Sequence, residues 1–441
     1  MENKKIKTTK IGRLTKMGTT LAKATSKFLV KKTFDRTVKE AKDLKVKIDV
    51  AKDIVQSMGE LKGAFMKMGQ MLSISDDLLL PPEISELFKE LQKNAPPMPR
   101  SDLDKVFLKS FGKIPEGLFK SFERTPMAAA SIGQVHKAVL PSGEDVAVKV
   151  QYPNILKATQ NDFKNLDQIK KFFSLIFPDV VDVSNLVTEM KRSLLQECDY
   201  VKERDEMLAF RNSLMEDFPN IHVPRTYESF CSESILTMEF LEGDDFEGSL
   251  NYSQEEKDFL GQLLFDSYIY SLFSKRKIHS DPQNGNYFFS RKNIKLLDYG
   301  STREFSQGFV KRYAAILLAM EEDDYDLYKK VIIDLGVFLK TDSEDLFKRH
   351  FELIKETYNP YTKEGAYPLL EVNPFLKVKD FIKTVDLKKR KFPREEFFLL
   401  DRSTLGLFLK LRRWGSRVNW VQTMRKYRGP LDDEIKSNGI D

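Results

Sequence analysis

The stretch that most constrains this chain is residues 134–150, where side-chain character alternates with a period of two. Gln134-Val135-His136-Lys137-Ala138-Val139-Leu140 and Asp145-Val146-Ala147-Val148-Lys149-Val150 flank the turn Pro141-Ser142-Gly143. Successive side chains of a strand point to opposite faces, so two alternating runs around such a turn specify an antiparallel hairpin. The chain before about residue 122, and most of it after Pro153, follows a helical period instead. Strands gathered in one region with helices on both sides predict an α+β fold.

Upstream, residues 35–75 hold a helical pattern, Pro81-Pro82 breaks it, and PPEISELFKELQKN restarts a short helix. NAPPMPRS marks a boundary, and SDLDKVFLKSFG predicts a helix with Ser101 at its N-cap and Gly112 just past its end. Helices are expected from Pro153 to about 176, over 183–211 and over the apolar 254–275. SESILTMEF reads as a strand, NYFF and IKLLDY as two short ones, and 306–425 as mostly helical. The polar RGPLDDEIKSNGID after residue 426 is expected to be loosely held. The resulting regions are 1–34, 35–122, 123–242, 243–425 and 426–441.

Composition narrows the function. With 41% apolar and 31% charged residues the chain fits a soluble globular protein, and no run approaches the ~18 apolar residues of a membrane-spanning helix. The opening MENKKIKTTKIGRL lacks the apolar core of a secretory signal, and Lys, rather than Arg and Ser, dominates it. A cytoplasmic protein is therefore expected. Cys198 and Cys231 cannot build a disulfide framework, and with His136, His222, His279 and His350 they show no zinc-ligand spacing. The net charge of +6 is uneven: residues 1–34 hold ten Lys and Arg against Glu2, which leaves the rest slightly acidic. That argues against a nucleic-acid-binding protein. Ile11, Leu14, Met17, Leu21, Ala24 and Phe28 share one helical face, with most Lys and Arg elsewhere around it. Such a basic amphipathic segment either lies on an anionic membrane or packs on the body.

Three separated elements suit a nucleotide triphosphate with magnesium. Lys149 sits mid-strand, where an acidic partner could aim its ammonium at phosphate oxygens, although a lone strand lysine is usually a solvated one. His279-Ser280-Asp281-Pro282-Gln283-Asn284-Gly285-Asn286 has the H-x-D-x4-N spacing of a kinase catalytic loop, with Ser280 in place of Arg. Asp281 could orient an attacking hydroxyl, and Asn286 could offer a neutral oxygen to a metal. Twelve residues on, Leu296-Leu297-Asp298-Tyr299-Gly300 ends an apolar strand in a carboxylate suited to chelating Mg2+. No G-x4-G-K-[ST] phosphate loop competes.

The ensemble resembles the UbiB, or AarF-domain, family of atypical protein-kinase-like proteins. Lys67-Met68-Gly69-Gln70 matches its K-x-G-Q signature, Met127–His136 its Ala-rich loop, and Glu197-Cys198-Asp199 its E-x-D motif. The resemblance covers about residues 35–415. It implies a bilobal kinase-like fold with a helical N-terminal extension over the active site. It further implies ATP and Mg2+ as cofactors, Lys149 paired with Glu203, and Asp281 as the catalytic-loop carboxylate. Asn286 and Asp298 would be metal ligands. Ala128, Ala129, Ala130 and Ser131 would line the nucleotide, and a hinge at Met238-Glu239-Phe240-Leu241 would receive the adenine. Lys67, Gly69 and Gln70 would form a lid meeting Glu197 and Asp199, in the space where a protein kinase accepts a peptide.

Two readings of function follow from the resemblance. One is an atypical kinase or ATPase supporting isoprenoid quinone biosynthesis at a membrane surface, peripheral on the inner face of the cytoplasmic membrane. Its partners would be ATP and ADP, an anionic membrane, isoprenoid lipids or quinone intermediates, and other quinone-biosynthesis proteins. No A-P-E segment follows Asp298, which leaves little room for an activation loop and disfavours a protein substrate. The other is a nucleotide-gated, lipid-binding scaffold with little catalysis.

Overall fold

A computed structural model describes residues 97–130, 132–162, 183–358, 363–369 and 394–440. The basic segment 10–32, the helices expected between 35 and 95, Lys67, Gly69, Gln70, Ser131 and the stretch 163–176 lie outside the described residues. The chain divides into two compact units, Met1–Asp205 with Arg225–Phe240, and Glu206–Pro224 with Leu241–Asp441.

In the first unit α1 (Arg100–Phe111) begins on Pro99 and not on the expected Ser101. The Pro99 carbonyl takes the first helical hydrogen bonds, from Asp102 and Leu103, which leaves Ser101 inside the first turn. Gly112 ends the helix at φ 66°, in the left-handed region where glycine is least strained. Strands β1 (Ser121–Phe122) and β2 (Ala128–Ala129) both pair with β3 (Gly133–Val139). The expected hairpin then joins β3 to β4 (Asp145–Gln151), with Val135 opposite Lys149. Gly133 is required there, because a Cβ would stand 2.2 Å from the Val150 carbonyl oxygen.

Helix α2 spans Ile155–Asp162. The single helix expected over 183–211 is two, α3 (Val183–Glu197) and α4 (Tyr200–Leu214). Asp199 makes the break: its Oδ1 accepts the Lys202 N–H at 3.0 Å, which caps a new helix and ends the old one. After β5 (Ile221–His222) in the second unit, the chain returns for β6 (Ile235–Glu239), which pairs with β4. The β4 strand is therefore central in the order β1-β3-β4-β6. Its valines and its opposite face, Ala147 and Lys149, are all buried.

In the second unit α5 (Phe246–Ser249) leads to α6 (Gln254–Phe273). A reciprocal capping box between Ser253 and Glu256 fixes the start of α6. Strands β7 (Lys277–His279), β8 (Tyr287–Ser290), β9 (Asn293–Leu296) and β10 (Thr302–Glu304) follow. β8 and β9 form a hairpin with β5 added in parallel, and β7 pairs with β10. The rest comprises α7 (Gln307–Glu322), α8 (Tyr325–Asp334), α9 (Glu344–Tyr358), β11 (Tyr367–Pro368) and α10 (Arg394–Trp414). Last come β12 (Arg417–Val418), α11 (Trp420–Tyr427) and α12 (Gly429–Asn438).

The end of the chain corrects the expectation of a loose polar tail. Ile435 and Ile440 are buried against the body. Arg428, 2% exposed, reaches Asp432 at 3.0 Å and Glu321 at 2.5 Å. Arg428 closes ion pairs inside the fold, which composition alone cannot distinguish from solvated charges.

Candidate active site

Lys149 lies at the middle of β4, between Val135 of β3 and Leu236 of β6. Its Nζ donates to both oxygens of Glu203, at 2.8 and 3.0 Å. Glu203 stands in the first turn of α4, and Tyr200 of the same turn presents its ring 5.2 Å from the ammonium. Both side chains are buried, in a place where neither charge would be stable alone. The Asp199 cap sets where α4 begins and hence the phase that turns Glu203 toward the sheet. Gln151 ties the other end of β4 to this junction, donating to the Cys198 carbonyl at 3.0 Å. Burial pushes the Cys198 thiol up to about 12, so it is no nucleophile.

Glu197 and Asp199 differ in surroundings: Glu197 is buried at the end of α3, whereas Asp199 is exposed and acts as the cap. Their proposed lid partners Lys67 and Gln70 lie outside the described residues. Ala128 and Ala129 are exposed and paired across from Val135 and Gln134, and the Ala130 N–H closes the turn onto the Gly133 carbonyl at 2.9 Å. The alanine segment is thus a short hairpin edge. Its base is rigid: buried Gln134 accepts from the Met98 N–H and donates to His136 Nε2, both at 2.8 Å. His136 Nδ1 donates to the Glu123 carbonyl at 2.8 Å, and burial lowers the imidazole pKa and keeps it neutral. Glu239 ends β6 with its carboxylate on the Arg225 N–H at 3.1 Å, and Leu241 is the first residue of the second unit's return.

In the second unit the H-x-D-x4-N loop runs from the end of β7 to the start of β8. Ser280, standing where kinases carry Arg, bonds Ser301 through backbone (3.0 Å) and hydroxyl (2.9 Å). The hairpin register sets Tyr287 opposite Leu296, and the Leu297 N–H donates to the Asn286 carbonyl at 2.9 Å. Asn286 therefore sits across from the residue preceding Asp298. The Asn286 amide nitrogen donates to the Asp281 carbonyl at 3.2 Å, leaving the amide oxygen as the acceptor. Asp298 Oδ1 accepts the Gly300 N–H at 2.9 Å, and the Asp298 carbonyl meets the Nε2 of His279. Burial lowers the His279 pKa, so this ring nitrogen donates as a neutral imidazole and pins the strand end beneath Asp298.

The residues that sequence reasoning missed are on α10. Arg402 Nη2 donates to Asp281 Oδ1 at 2.9 Å, with both side chains buried. One turn on, Gly406 abuts Pro282, where a Cβ would come within 2.2 Å of the Pro282 Cβ. A further turn on, Lys410 donates to the Pro282 carbonyl and lies 4.6 Å from the Tyr287 ring. Burial brings the Lys410 pKa down to about 7, against a raising contribution from Asp281. The available signal was a charge, a glycine and a charge at i, i+4 and i+8 on the apolar face of a helix.

With this geometry in view, residues 90–332, more than half of the chain, match the model of the ABC1 atypical kinase-like domain. The mitochondrial atypical kinase COQ8 of Schizosaccharomyces pombe is 31% identical over 371 residues, 83% of this chain and 60% of its own length. The mitochondrial atypical kinase COQ8B of Rattus norvegicus is 30% identical, over 83% of this chain and 70% of its own. COQ8 of Saccharomyces cerevisiae is 28% identical, over 85% and 75%. The solved structure of Rv3197 from Mycobacterium tuberculosis, in complex with erythromycin, shares the fold at a TM-score of 0.61 and 24% identity. It covers 88% of this chain and 98% of that one. Among the described residues, no helix is long and apolar enough to cross a membrane.

Proposed function

The chain belongs to the ABC1 family of atypical kinase-like proteins, and on that premise we propose that it binds ATP with Mg2+ and moves or releases the terminal phosphoryl group. The observation that carries this reading is the buried Lys149–Glu203 pair in the middle of β4. A charge pair there contributes little to stability beyond what apolar residues would give, so its retention points to a ligand that needs a fixed ammonium. Phosphate oxygens are such a ligand. Ala128, Ala129 and Ala130 line the nucleotide, and the β6 end at Glu239 with Leu241 receives the base.

Asn286 and Asp298 fit Mg2+: an amide and a carboxylate oxygen are hard donors, both are half-buried, and hydrogen bonds orient each. When bound, Mg2+ would neutralise charge on the phosphates. Asp281 orients the attacking hydroxyl. The relatives' naming as COQ8 and the resemblance to the UbiB family support a role in ubiquinone-type biosynthesis at a membrane surface. The contact is peripheral, through the basic face of residues 10–32. A second reading draws on the burial of Asp281 against Arg402: a nucleotide-gated, lipid-binding scaffold in which hydrolysis is slow.

The test is magnesium-dependent phosphate release from ATP, with Asp281→Asn and Asp298→Asn alongside and anionic liposomes present or absent. Turnover lost in both variants and raised by liposomes is the expected result. Full turnover in the variants would overturn the assignment, and Mg–ATP binding without turnover would favour the scaffold. Deleting residues 10–32 should release the protein from liposomes; unchanged sedimentation rejects that anchor.

A further inference from the structure

The loop Ser280–Gln283 has little regular structure of its own, yet Asp281 and Pro282 are both buried. What holds them is α10. Arg402, Gly406 and Lys410 follow at intervals of four, so they form one stripe along the helix. Arg402 grips the Asp281 carboxylate, Gly406 lets the helix backbone close on the Pro282 ring, and Lys410 takes the Pro282 carbonyl. The helix itself is fastened to its own unit. The Tyr268 hydroxyl of α6 and Thr404 Oγ1 lie 2.8 Å apart, and Trp414 Nε1 donates to Ser249 Oγ at 2.8 Å.

Stability does not explain this stripe. Arg402 is buried, yet its Nε and Nη1 find no hydrogen-bond partner among the described residues. Buried donors left unmade cost free energy, and apolar side chains in place of both Arg402 and Asp281 would fill the same space without that cost. A group kept against the interest of the fold is expected where function needs it. We propose that α10 is the frame that sets the Asp281–Pro282 loop, with Arg402 as a positioning residue for the Asp281 carboxylate. Arg402 touches Oδ1 and so fixes the orientation of the carboxylate, while Gly406 and Lys410 fix the backbone that carries it. Arg402 acts only through Asp281. This rests on Asp281 serving phosphoryl transfer, as proposed above.

The experiment compares Mg–ATP turnover and loop exchange in the full chain, wild type and variants. The variants are Arg402→Gln, Arg402→Lys, Asp281→Asn and the double Arg402→Gln/Asp281→Asn. Arg413→Gln serves as control, since that residue makes an exposed pair with Glu247 on the same helix. Arg402→Gln should lower kcat about 10- to 100-fold, as expected when a reacting group is misplaced, and leave KM for ATP within about threefold. Arg402→Lys should recover part of that loss, and Arg413→Gln should match wild type. If Arg402 works through Asp281, the double variant should be within about twofold of Asp281→Asn alone. Losses that multiply, or an Arg402→Gln enzyme as fast as wild type, overturn the proposal.

Amide hydrogen exchange over residues 278–290 decides the matter independently of turnover. Faster exchange confined to that stretch in Arg402→Gln, and partly restored in Arg402→Lys, supports positioning; unchanged exchange refutes it. A wild-type protein without turnover would defeat the catalytic reading, while the exchange result would still stand or fall by itself.

Discussion

Replacing Lys149 by Met exposes how the first unit balances charge against burial. The ammonium makes two bonds, at 2.8 and 3.0 Å, to a carboxylate that is 1% exposed. Removing one partner of a buried pair leaves the other uncompensated, at a cost of about 3–5 kcal/mol. For a unit of some two hundred residues each kcal/mol shifts Tm by about 2–4 °C, so Lys149→Met should melt roughly 6–20 °C lower. The double variant Lys149→Met/Glu203→Leu removes both charges and should regain most of that loss, because apolar replacement of a buried pair is often neutral. Both variants should lose Mg–ATP binding, which separates the stability role of the pair from its ligand role. The only two tryptophans, Trp414 and Trp420, belong to the second unit, so their fluorescence does not report this transition. Scanning calorimetry does. A Lys149→Met protein melting within about 2 °C of wild type, or a double variant less stable than either single one, would refute the reasoning.

Three other outcomes are expected. Gly406→Ala gains helix propensity but drives a Cβ to 2.2 Å from Pro282; it should cost about 1–3 kcal/mol net, read as a lower urea midpoint. Truncation after Tyr427 removes Ile435, Ile440 and the Arg428 ion pairs, and should lower the melting of the second unit seen by tryptophan fluorescence; unchanged melting would return this segment to a loose tail. Burial holds His136 below its ordinary pKa and His350 down to about 4. The unfolded chain then takes up protons first as pH falls, so their contribution is intact above about pH 6.5 and is lost toward pH 4. Urea midpoints that stay flat across that window would contradict it.

The legibility of this chain in its sequence followed the range of the interactions. The 134–150 hairpin, the H-x-D-x4-N loop and the strand into Asp298 are local patterns, and each formed where alternation and spacing placed it. Glu203 could be paired with Lys149 only through family resemblance, because 54 residues separate them and nothing in α4 marks its buried face. The break at Cys198-Asp199 was missed because no glycine or proline announces it; a capping aspartate does the work. Arg402 and Lys410 were not singled out in the sequence. Their partners lie more than 120 residues earlier, on a loop whose position is set by packing and not by its own sequence. The final helix was misjudged for the converse reason, since a polar composition hid ion pairs that close inside the fold.

The central claim, that Lys149 and Asp298 are each needed for magnesium-dependent ATP binding, is tested most directly by equilibrium binding. Isothermal titration of wild type, Lys149→Met and Asp298→Asn with ATP, with and without Mg2+, is the measurement. Magnesium-dependent binding by wild type that is lost in Lys149→Met and stripped of its magnesium dependence in Asp298→Asn is the predicted result. Binding as tight in either variant as in wild type, or none in wild type, would contradict the account.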